Sequence, residues 1–374
     1  MGRERQLMRC RECGCPRIVS FFIKWQDNGT ITQMMRHDFR VVVLHFGFLD
    51  NLFSNIEAKL GISIEHIAFE AQRNASKATF AAFYDRVPAA EFFTRPGFVK
   101  RIGVEGFNKV GKITGQCHSQ TVEYKPGRYG VARIRNPFNF GLMAANVVGA
   151  FETLERVPFK HKWEEESPDN YVIRVEPTGE RPEIAERMEL EYAPVLPGRL
   201  VHDRCPRCKV PRALSSHLKW MENDGIILDT RTGSRVIMLD GYMVTTVFRE
   251  MVSELGEEVN DLLVDAQREW TVDHVGQLGL AEADGPLPPE ELEMAYREYL
   301  KNMSLYGLGN PVLFEMEDSS VRVKVENPYE VHIIGGTLQG LREALEKSPS
   351  AVEWKELSPG SVLYTVTLAS DSAF

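Results

Sequence analysis

The segment Cys10–Asn28 reads CRECGCPRIVSFFIKWQDN, and a second segment, Cys205–Asn223, reads CPRCKVPRALSSHLKWMEN. Both contain a Cys-x-x-Cys pair, and Pro-Arg, Ser, Lys-Trp and Asn follow it at matching positions. The offset is constant, because 205 − 10 and 223 − 28 both equal 195. Ungapped matching of this kind indicates an internal duplication.

The match continues through the rest of the chain. Ala71-Gln72-Arg73 recurs at the same offset, as Ala266-Gln267-Arg268, whereas Asn136-Pro137 recurs as Asn327-Pro328 at an offset of 327 − 136 = 191. The second copy therefore lacks a net 4 residues (195 − 191 = 4) between Arg268 and Asn327. The repeat is far longer than a solenoid unit, so we predict two globular halves that face each other about a pseudo-twofold axis, as a dimer within one chain.

The repeat defines the predicted domains. The first repeat covers residues 1–176, a linker rich in Pro, Glu and Gly covers 177–204, and the second repeat covers 205–374. Within the repeats, the Cys-x-x-Cys and hairpin segments cover 8–45 and 205–239, and the remaining parts cover 46–176 and 240–374.

Local patterns predict an α+β fold for each half. Phe21–Trp25 and the residues after Gly29 read as the two strands of a hairpin, because Asp-Asn-Gly supplies the positive φ that a tight turn needs. An amphipathic helix then ends at Gly61, and its twin ends at Gly256. Further helices and period-2 strands follow, so we expect helices packed on one antiparallel sheet in each half.

Composition narrows the classes of function. The net charge is −9, which argues against a nucleic-acid-binding protein. The N-terminus lacks a secretory pattern, and the apolar runs are too short to span a bilayer. Six cysteines in a long chain of this kind indicate reduced thiols and metal binding, so we expect a cytoplasmic protein.

The end of each half resembles the 4-vinyl reductase domain. The resemblance rests on an Asn-Pro turn, a helix with small residues, and a Ser-Pro turn between two strands, and it covers about 45–176 and 240–370. The small residues are Gly141, Ala144, Ala145 and Gly149 in the first half and Gly335, Gly336 and Gly340 in the second. The resemblance implies an α+β fold around an apolar pocket for small molecules, as in effector-binding domains of aromatic-responsive regulators. It also implies a link to tetrapyrrole vinyl reduction, the reaction for which one member of the family is named.

The chain departs from that family at one place. Many members hold zinc with cysteines near the last helix and hairpin, but residues 138–175 and 329–368 contain no cysteine. The family's metal site is therefore not carried over to this chain.

The Cys-x-x-Cys pairs predict a different metal site. Two cysteines separated by two residues occupy two corners of a tetrahedral zinc, and structural zinc sites have four ligands. A pseudo-twofold axis would bring Cys10, Cys13, Cys205 and Cys208 together as one structural zinc centre. The alternatives are two separate sites that use Cys15 or His202 as a third ligand, a redox-active dithiol, and thiols without metal.

Four repeated residues are candidates for contacts with an organic ligand. Trp25 and Trp220 could line a pocket, and Arg73 and Arg268 could bind an acidic group. Each also has a structural interpretation, as a core aromatic or as a basic residue near a helix C-terminus.

The sequence contains no complete catalytic set, so we predict a zinc-containing binding protein for a small hydrophobic or aromatic molecule, in a sensor, carrier or accessory role. An enzyme or accessory factor acting on a tetrapyrrole or aromatic ring is the first alternative. A protein-interaction adaptor is the second. The sequence leaves the identity of any organic cofactor open.

Overall fold

The computed structural model describes residues 8–34, 38–85, 97–277, 285–317 and 319–369. The helices of the first repeat and the linker are α1 (Arg17–Phe22), α2 (Phe48–Leu60), α3 (Glu65–Asp85), α4 (Gly97–Ile113), α5 (Phe140–Glu155) and α6 (Ile184–Arg187). Those of the second repeat are α7 (Arg212–Ser215), α8 (Met243–Leu255), α9 (Glu258–Gln277), α10 (Pro289–Leu305) and α11 (Val331–Glu346).

The strands follow the same duplication. The first repeat contributes β1 (Ile23–Trp25), β2 (Ile31–Gln33), β3 (Arg40–His45), β4 (His118–Lys125), β5 (Tyr129–Arg135), β6 (Phe159–Ser167) and β7 (Asn170–Pro177). The second contributes β8 (Leu218–Met221), β9 (Ile226–Asp229), β10 (Arg235–Asp240), β11 (Asn310–Met316), β12 (Ser320–Glu326), β13 (Ser350–Ser358) and β14 (Ser361–Leu368). The predicted α+β class with two similar halves is confirmed.

The described strands form three antiparallel sheets, where we expected one in each half. The orders β4-β5-β7-β6 and β11-β12-β14-β13 give one four-stranded sheet per repeat. The third sheet has the order β1-β2-β3-β10-β9-β8, so both repeats build it together. The short hairpin strands complete their hydrogen bonding by joining the two repeats rather than by extending the larger sheets.

The start of the predicted hairpin was wrong. Phe21 and Phe22 end helix α1, and the first strand begins only at Ile23. A short apolar run does not distinguish a buried strand from a buried helix by its periodicity. The predicted turn is confirmed, since Gly29 has a φ of 75°.

The helical predictions agree with the structure. Helix α2 ends at Leu60, and its C-cap is the predicted Gly61, whose φ of 69° is the left-handed conformation that the residue after a helix often adopts. The middle segments, predicted to be partly helical, contain α4 and α10. Among the described helices, none combines the length and apolar character that crossing a bilayer requires.

The two repeats exchange their N-terminal segments. Trp25 of the first repeat donates its indole N–H to the carbonyl of Leu305 in the second, over 3.0 Å. Trp220 of the second repeat donates to the carbonyl of Ile113 in the first, also over 3.0 Å. Helix α2 packs on α9, and α8 packs on α3. The start of each repeat is therefore anchored on the later part of the other.

Two partly buried arginines stabilise this exchange. Arg40 donates hydrogen bonds to the carbonyl groups of Gly307, Asn327 and Pro328. Its counterpart Arg235 donates to the carbonyls of three residues in the first repeat, Gly115, Gln116 and Asn136. A guanidinium withdrawn from water needs partners for its N–H groups, and in both copies these include a carbonyl of the Asn-Pro turn of the opposite repeat.

Candidate metal centre and cavity

The four predicted metal ligands lie together. The Sγ atoms of Cys10, Cys13, Cys205 and Cys208 are all within 4.8 Å of one another. The Sγ atoms of Cys10 and Cys205 are 3.8 Å apart, and those of Cys13 and Cys208 are 3.4 Å apart. A tetrahedral zinc with Zn–S bonds of about 2.3 Å has S–S edges of about 3.8 Å, so the four sulfurs fit such an ion.

Each Cys-x-x-Cys pair sits on the same kind of turn. The N–H of Gly14 donates to the carbonyl of Cys10, and the N–H of Lys209 donates to the carbonyl of Cys205, both over 2.9 Å. Gly14 and Lys209 occupy equivalent positions and have φ values of 73° and 65°. Positive φ turns the chain back sharply enough to present both thiols of a pair on one side.

Ion pairs between the repeats hold these turns in place. Arg9 of the first repeat pairs with Glu222 in the second over 2.7 Å. Its counterpart Arg204 pairs with Asp27 in the first repeat over 2.8 Å. Each cysteine turn is therefore tied to the tip of the opposite hairpin, which brings the two half-sites together.

The electrostatic environment favours ionisation of one thiol. Burial opposes the charged form of Cys205, but the N–H groups of Cys208 and Arg207 and the thiols of Cys208 and Cys13 outweigh it. The pKa of Cys205 is therefore lowered to about 7. Burial raises the pKa of Cys13 and of Cys208, so metal-free thiols at these two positions favour the neutral form.

The residues of the two-site alternative lie outside the cluster. The Sγ of Cys15 contacts the carbonyl of Pro16 at 3.7 Å. Within the described ranges, the group of residues that could hold a metal comprises the four cysteines without Cys15 or His202. The geometry therefore favours one shared centre over two separate ones.

A cavity of about 690 Å³ lies in the first repeat. Its walls come mainly from α1, α3, α4, α5, β4, β5 and β10, with one residue each from β1, β2 and β3, so both repeats enclose it. Apolar side chains such as Phe22, Val104, Ile134 and Phe151 form much of the lining. Three charged lining residues of α4, Arg101, Glu105 and Lys109, are exposed, which places the open side of the cavity along this helix.

One wall of the cavity carries a row of amides. Gln116 donates to the carbonyl of Met238 over 2.8 Å and accepts from the Nδ2 of Asn146 over 3.1 Å. Asn146 accepts in turn from the Nε2 of Gln72 over 2.7 Å. Next to Gln72 lies the carboxyl of Asp240, whose pKa burial raises to about 6. This row gives an otherwise apolar chamber one polar side.

A second cavity, of about 630 Å³, has a different setting. It lies between the linker, at Glu191–Val195, and the second repeat, where Tyr329 and Trp354 line it. Thr30, Thr32, Asp38 and Arg40 of the first repeat also line it. The linker is therefore packed on the protein over this stretch.

The predicted ligand contacts have structural partners. Trp25 and Trp220 bond to backbone carbonyls between the repeats. Arg73 is buried and pairs with Glu70 and Glu152, while the less buried Arg268 pairs with Glu343. The four side chains are absent from the linings of the two cavities, and their role as ligand contacts stays a prediction.

Sequence reasoning missed the residues that line the first cavity. They come from ten helices and strands of both repeats, and the exchange of N-terminal segments brings them together. A position-by-position comparison of the repeats could have revealed the cavity, because at several of these positions the second repeat has a larger residue than the first.

Comparisons with known proteins do not identify a family for this chain. No family model and no curated protein matches the sequence, so membership of the 4-vinyl reductase family stays a prediction. A crystal structure of the phenol-responsive sensory domain of the transcription activator PoxR with phenol is 17% identical, with a TM-score of 0.32, over 41% of this chain and 87% of that one. A structure from a study of heme distortion in the H-NOX family is 13% identical, with a TM-score of 0.27, over 34% and 71%. These TM-scores are too low to support an inference about fold or function.

Proposed function

We propose that this chain is a zinc-containing protein that binds a small hydrophobic or aromatic molecule, in a sensor, carrier or accessory role. The observation that carries the proposal is the cavity of about 690 Å³ in the first repeat. Its volume falls within the range of about 300–1,000 Å³ typical of small-molecule sites, which are mostly apolar with a few polar groups. The amide row at Gln72, Asn146 and Gln116 supplies those polar groups.

The cysteine cluster supports the zinc part of the proposal. Zinc is the ion that most commonly uses four thiolates in a tetrahedral structural site, and four such ligands leave no open position for a substrate. We therefore assign the metal a structural role at the junction of the repeats. Thiolate ligands must stay reduced, which favours a reducing compartment such as the cytoplasm.

The last part of each repeat, which contains the helix with small residues, supports a distant relation to the 4-vinyl reductase domain as part of the same proposal. A Cβ on Gly149 would lie 2.5 Å from the carbonyl oxygen of Arg73, and a Cβ on Gly340 would lie 2.5 Å from that of Arg268. The small-residue helix therefore has a packing reason in both repeats: it allows α5 and α11 to approach α3 and α9.

The ligand-binding proposal is tested with the full chain. We expect denaturing mass spectrometry of organic extracts to find a co-purified small molecule at a stoichiometry near the protein. After extraction on a hydrophobic resin, the protein should bind the uncharged fluorophore N-phenyl-1-naphthylamine with enhanced, blue-shifted emission. A chain that carries no small molecule and leaves the emission of this probe unchanged would contradict the proposal.

A further inference from the structure

We propose that the chain takes one ligand, held by the cavity of the first repeat, and that larger side chains have closed the equivalent space in the second repeat. This inference rests on the proposed ligand-binding function. It concerns the stoichiometry of binding and the division of labour between two copies of one fold.

The structure defines which positions are equivalent. Gly149 packs against Arg73 and Ser76 as Gly340 packs against Arg268 and Thr271, which aligns α3 with α9 and α5 with α11. The indole bonds to Ile113 and Leu305 align α4 with α10 at an offset of 305 − 113 = 192. With these offsets, each residue of the cavity wall has a counterpart.

The wall formed by α4 changes most. Val104, Asn108 and Gly111 line the first-repeat cavity. Their counterparts in α10 are Tyr296, Leu300 and Met303, which are 0%, 5% and 1% exposed. Each replacement adds side-chain volume on the face that would line a cavity. The phenol ring of Tyr296 alone fills space that the isopropyl group of Val104 leaves open.

In α3 and α5, two lining positions change in the same direction, although Phe80 of α3 is replaced by the smaller Val275. Ala150 of α5 is replaced by Leu341, which is 2% exposed. Thr79 of α3 is replaced by His274, whose ring stacks on Trp270 with centroids 4.5 Å apart.

In the second repeat, the larger side chains of α10 and α11 pack together. One hydrophobic cluster contains the residues that occupy the equivalent space, and they are Tyr296, Leu300, Met303, Val323, Val325, Leu338 and Leu341. Close packing of large side chains leaves no room for a ligand of the size that the first repeat accommodates. The second repeat thus serves as a scaffold, and its exchanged strand β10 contributes Met238–Asp240 to the wall of the first-repeat cavity.

The lining also indicates the class of ligand. The side chain of Asp240 is almost fully buried, whereas the other charged lining residues named above are exposed at the open side. Burying a charge without a partner is costly, so the chamber favours an uncharged, mainly apolar molecule that places any polar group at the amide row.

The repeats supply a matched pair of variants for the test. Ala150→Leu places the second-repeat residue in the cavity of the first repeat. Leu341→Ala places the first-repeat residue in the closed core of the second repeat. We would titrate the full-length chain and both variants with N-phenyl-1-naphthylamine after extraction, and would confirm their folding by circular dichroism and thermal melting. Val104→Tyr serves as a second closing variant if Ala150→Leu does not fold.

We expect one site in the wild type, at least about a tenfold loss of affinity in Ala150→Leu, which corresponds to about 1.4 kcal/mol, and an unchanged first site in Leu341→Ala. Two equal sites in the wild type, or full binding by folded Ala150→Leu and Val104→Tyr, would overturn the inference while leaving ligand binding intact. Absence of binding by the wild type would overturn both proposals.

Discussion

Val43 and Met238, which are equivalent residues of the two repeats, lie directly opposite each other in the central sheet. Cys10 likewise faces its equivalent Cys205, and Cys13 faces Cys208. A residue contacts its own counterpart only near a twofold axis. The predicted pseudo-twofold axis therefore passes through both the middle of the six-stranded sheet and the cysteine cluster, so a metal at the cluster would join the repeats where their symmetry places them.

The shared metal centre predicts that one cysteine controls the whole site. Cys10→Ser should reduce the zinc content from one ion per chain to near zero after dialysis against a chelator. It should also lower the free energy of unfolding by more than about 2 kcal/mol, since metal binding is linked to folding. Elemental analysis and urea denaturation would measure the two effects.

The controls for this experiment are Cys15→Ala and His202→Ala. Both residues lie outside the cluster, so both variants should keep one zinc. Two zinc ions in the wild type, or loss of metal in either control, would instead support separate sites.

The exchanged segments predict reciprocal effects at the two anchoring tryptophans. Trp25→Phe and Trp220→Phe each remove an indole hydrogen bond to a carbonyl of the opposite repeat, and each should cost about 1 kcal/mol. Trp25→Ala, which also leaves a cavity, should cost about 3–5 kcal/mol. Urea denaturation would measure these changes.

Trp163 offers a matched control, because its side chain is 53% exposed. Trp163→Phe should change the free energy of unfolding by no more than about 0.5 kcal/mol. Equal effects at Trp25 and Trp163 would argue against the anchoring role.

The duplication made much of this architecture predictable. Each Cys-x-x-Cys pair supplies only two of the four ligands of a zinc site, so two pairs at a constant offset predict that they meet at a symmetry axis. The helix ends next to Gly61 and Gly256 follow from the preference for glycine after the last helical residue. The structure shows that the net deletion of four residues in the second repeat occurs at two places. Three residues are lost before Leu305, since the offset there is 192, and one more is lost before Asn327, where it is 191.

The exchange of segments was not predictable from one sequence. A repeat specifies which surfaces fit together, but the same surfaces can meet within one repeat or between two. Contacts between the repeats, such as those of Trp25 with Leu305 and of Trp220 with Ile113, distinguish these arrangements. The cavity was missed for the same reason, because β10 of the second repeat closes a chamber built mainly from the first.

The exchange predicts that the repeats stay together when the linker is cut. Gly179 and Glu180 are exposed, so a protease site inserted between them should be cleaved without disturbing the packed parts of the linker. Size-exclusion chromatography after cleavage should show one species of unchanged size that contains both fragments. The uncleaved insertion variant is the control. Fragments that elute separately as folded monomers would show that each repeat is complete by itself.

The buried carboxyl of Asp240 predicts a pH-dependent stability. Burial raises its pKa to about 6, so the native state binds this proton more tightly than the unfolded chain does. The resulting stabilisation is complete at acidic pH, below the carboxyl's unfolded pKa, and is lost as the pH rises through about 6.

Asp240→Asn removes this dependence without removing the hydrogen-bond acceptor. The Oδ1 of Asp240 accepts from the N–H groups of Tyr242 and Met243, and an asparagine Oδ1 can do the same. Relative to the wild type, the variant should therefore gain about 1–2 kcal/mol of stability between about pH 5 and about pH 8, as measured by urea denaturation at both pH values. A constant difference between the two proteins across this range would show that Asp240 titrates at its ordinary pKa, because only a raised pKa makes the effect of the substitution depend on pH.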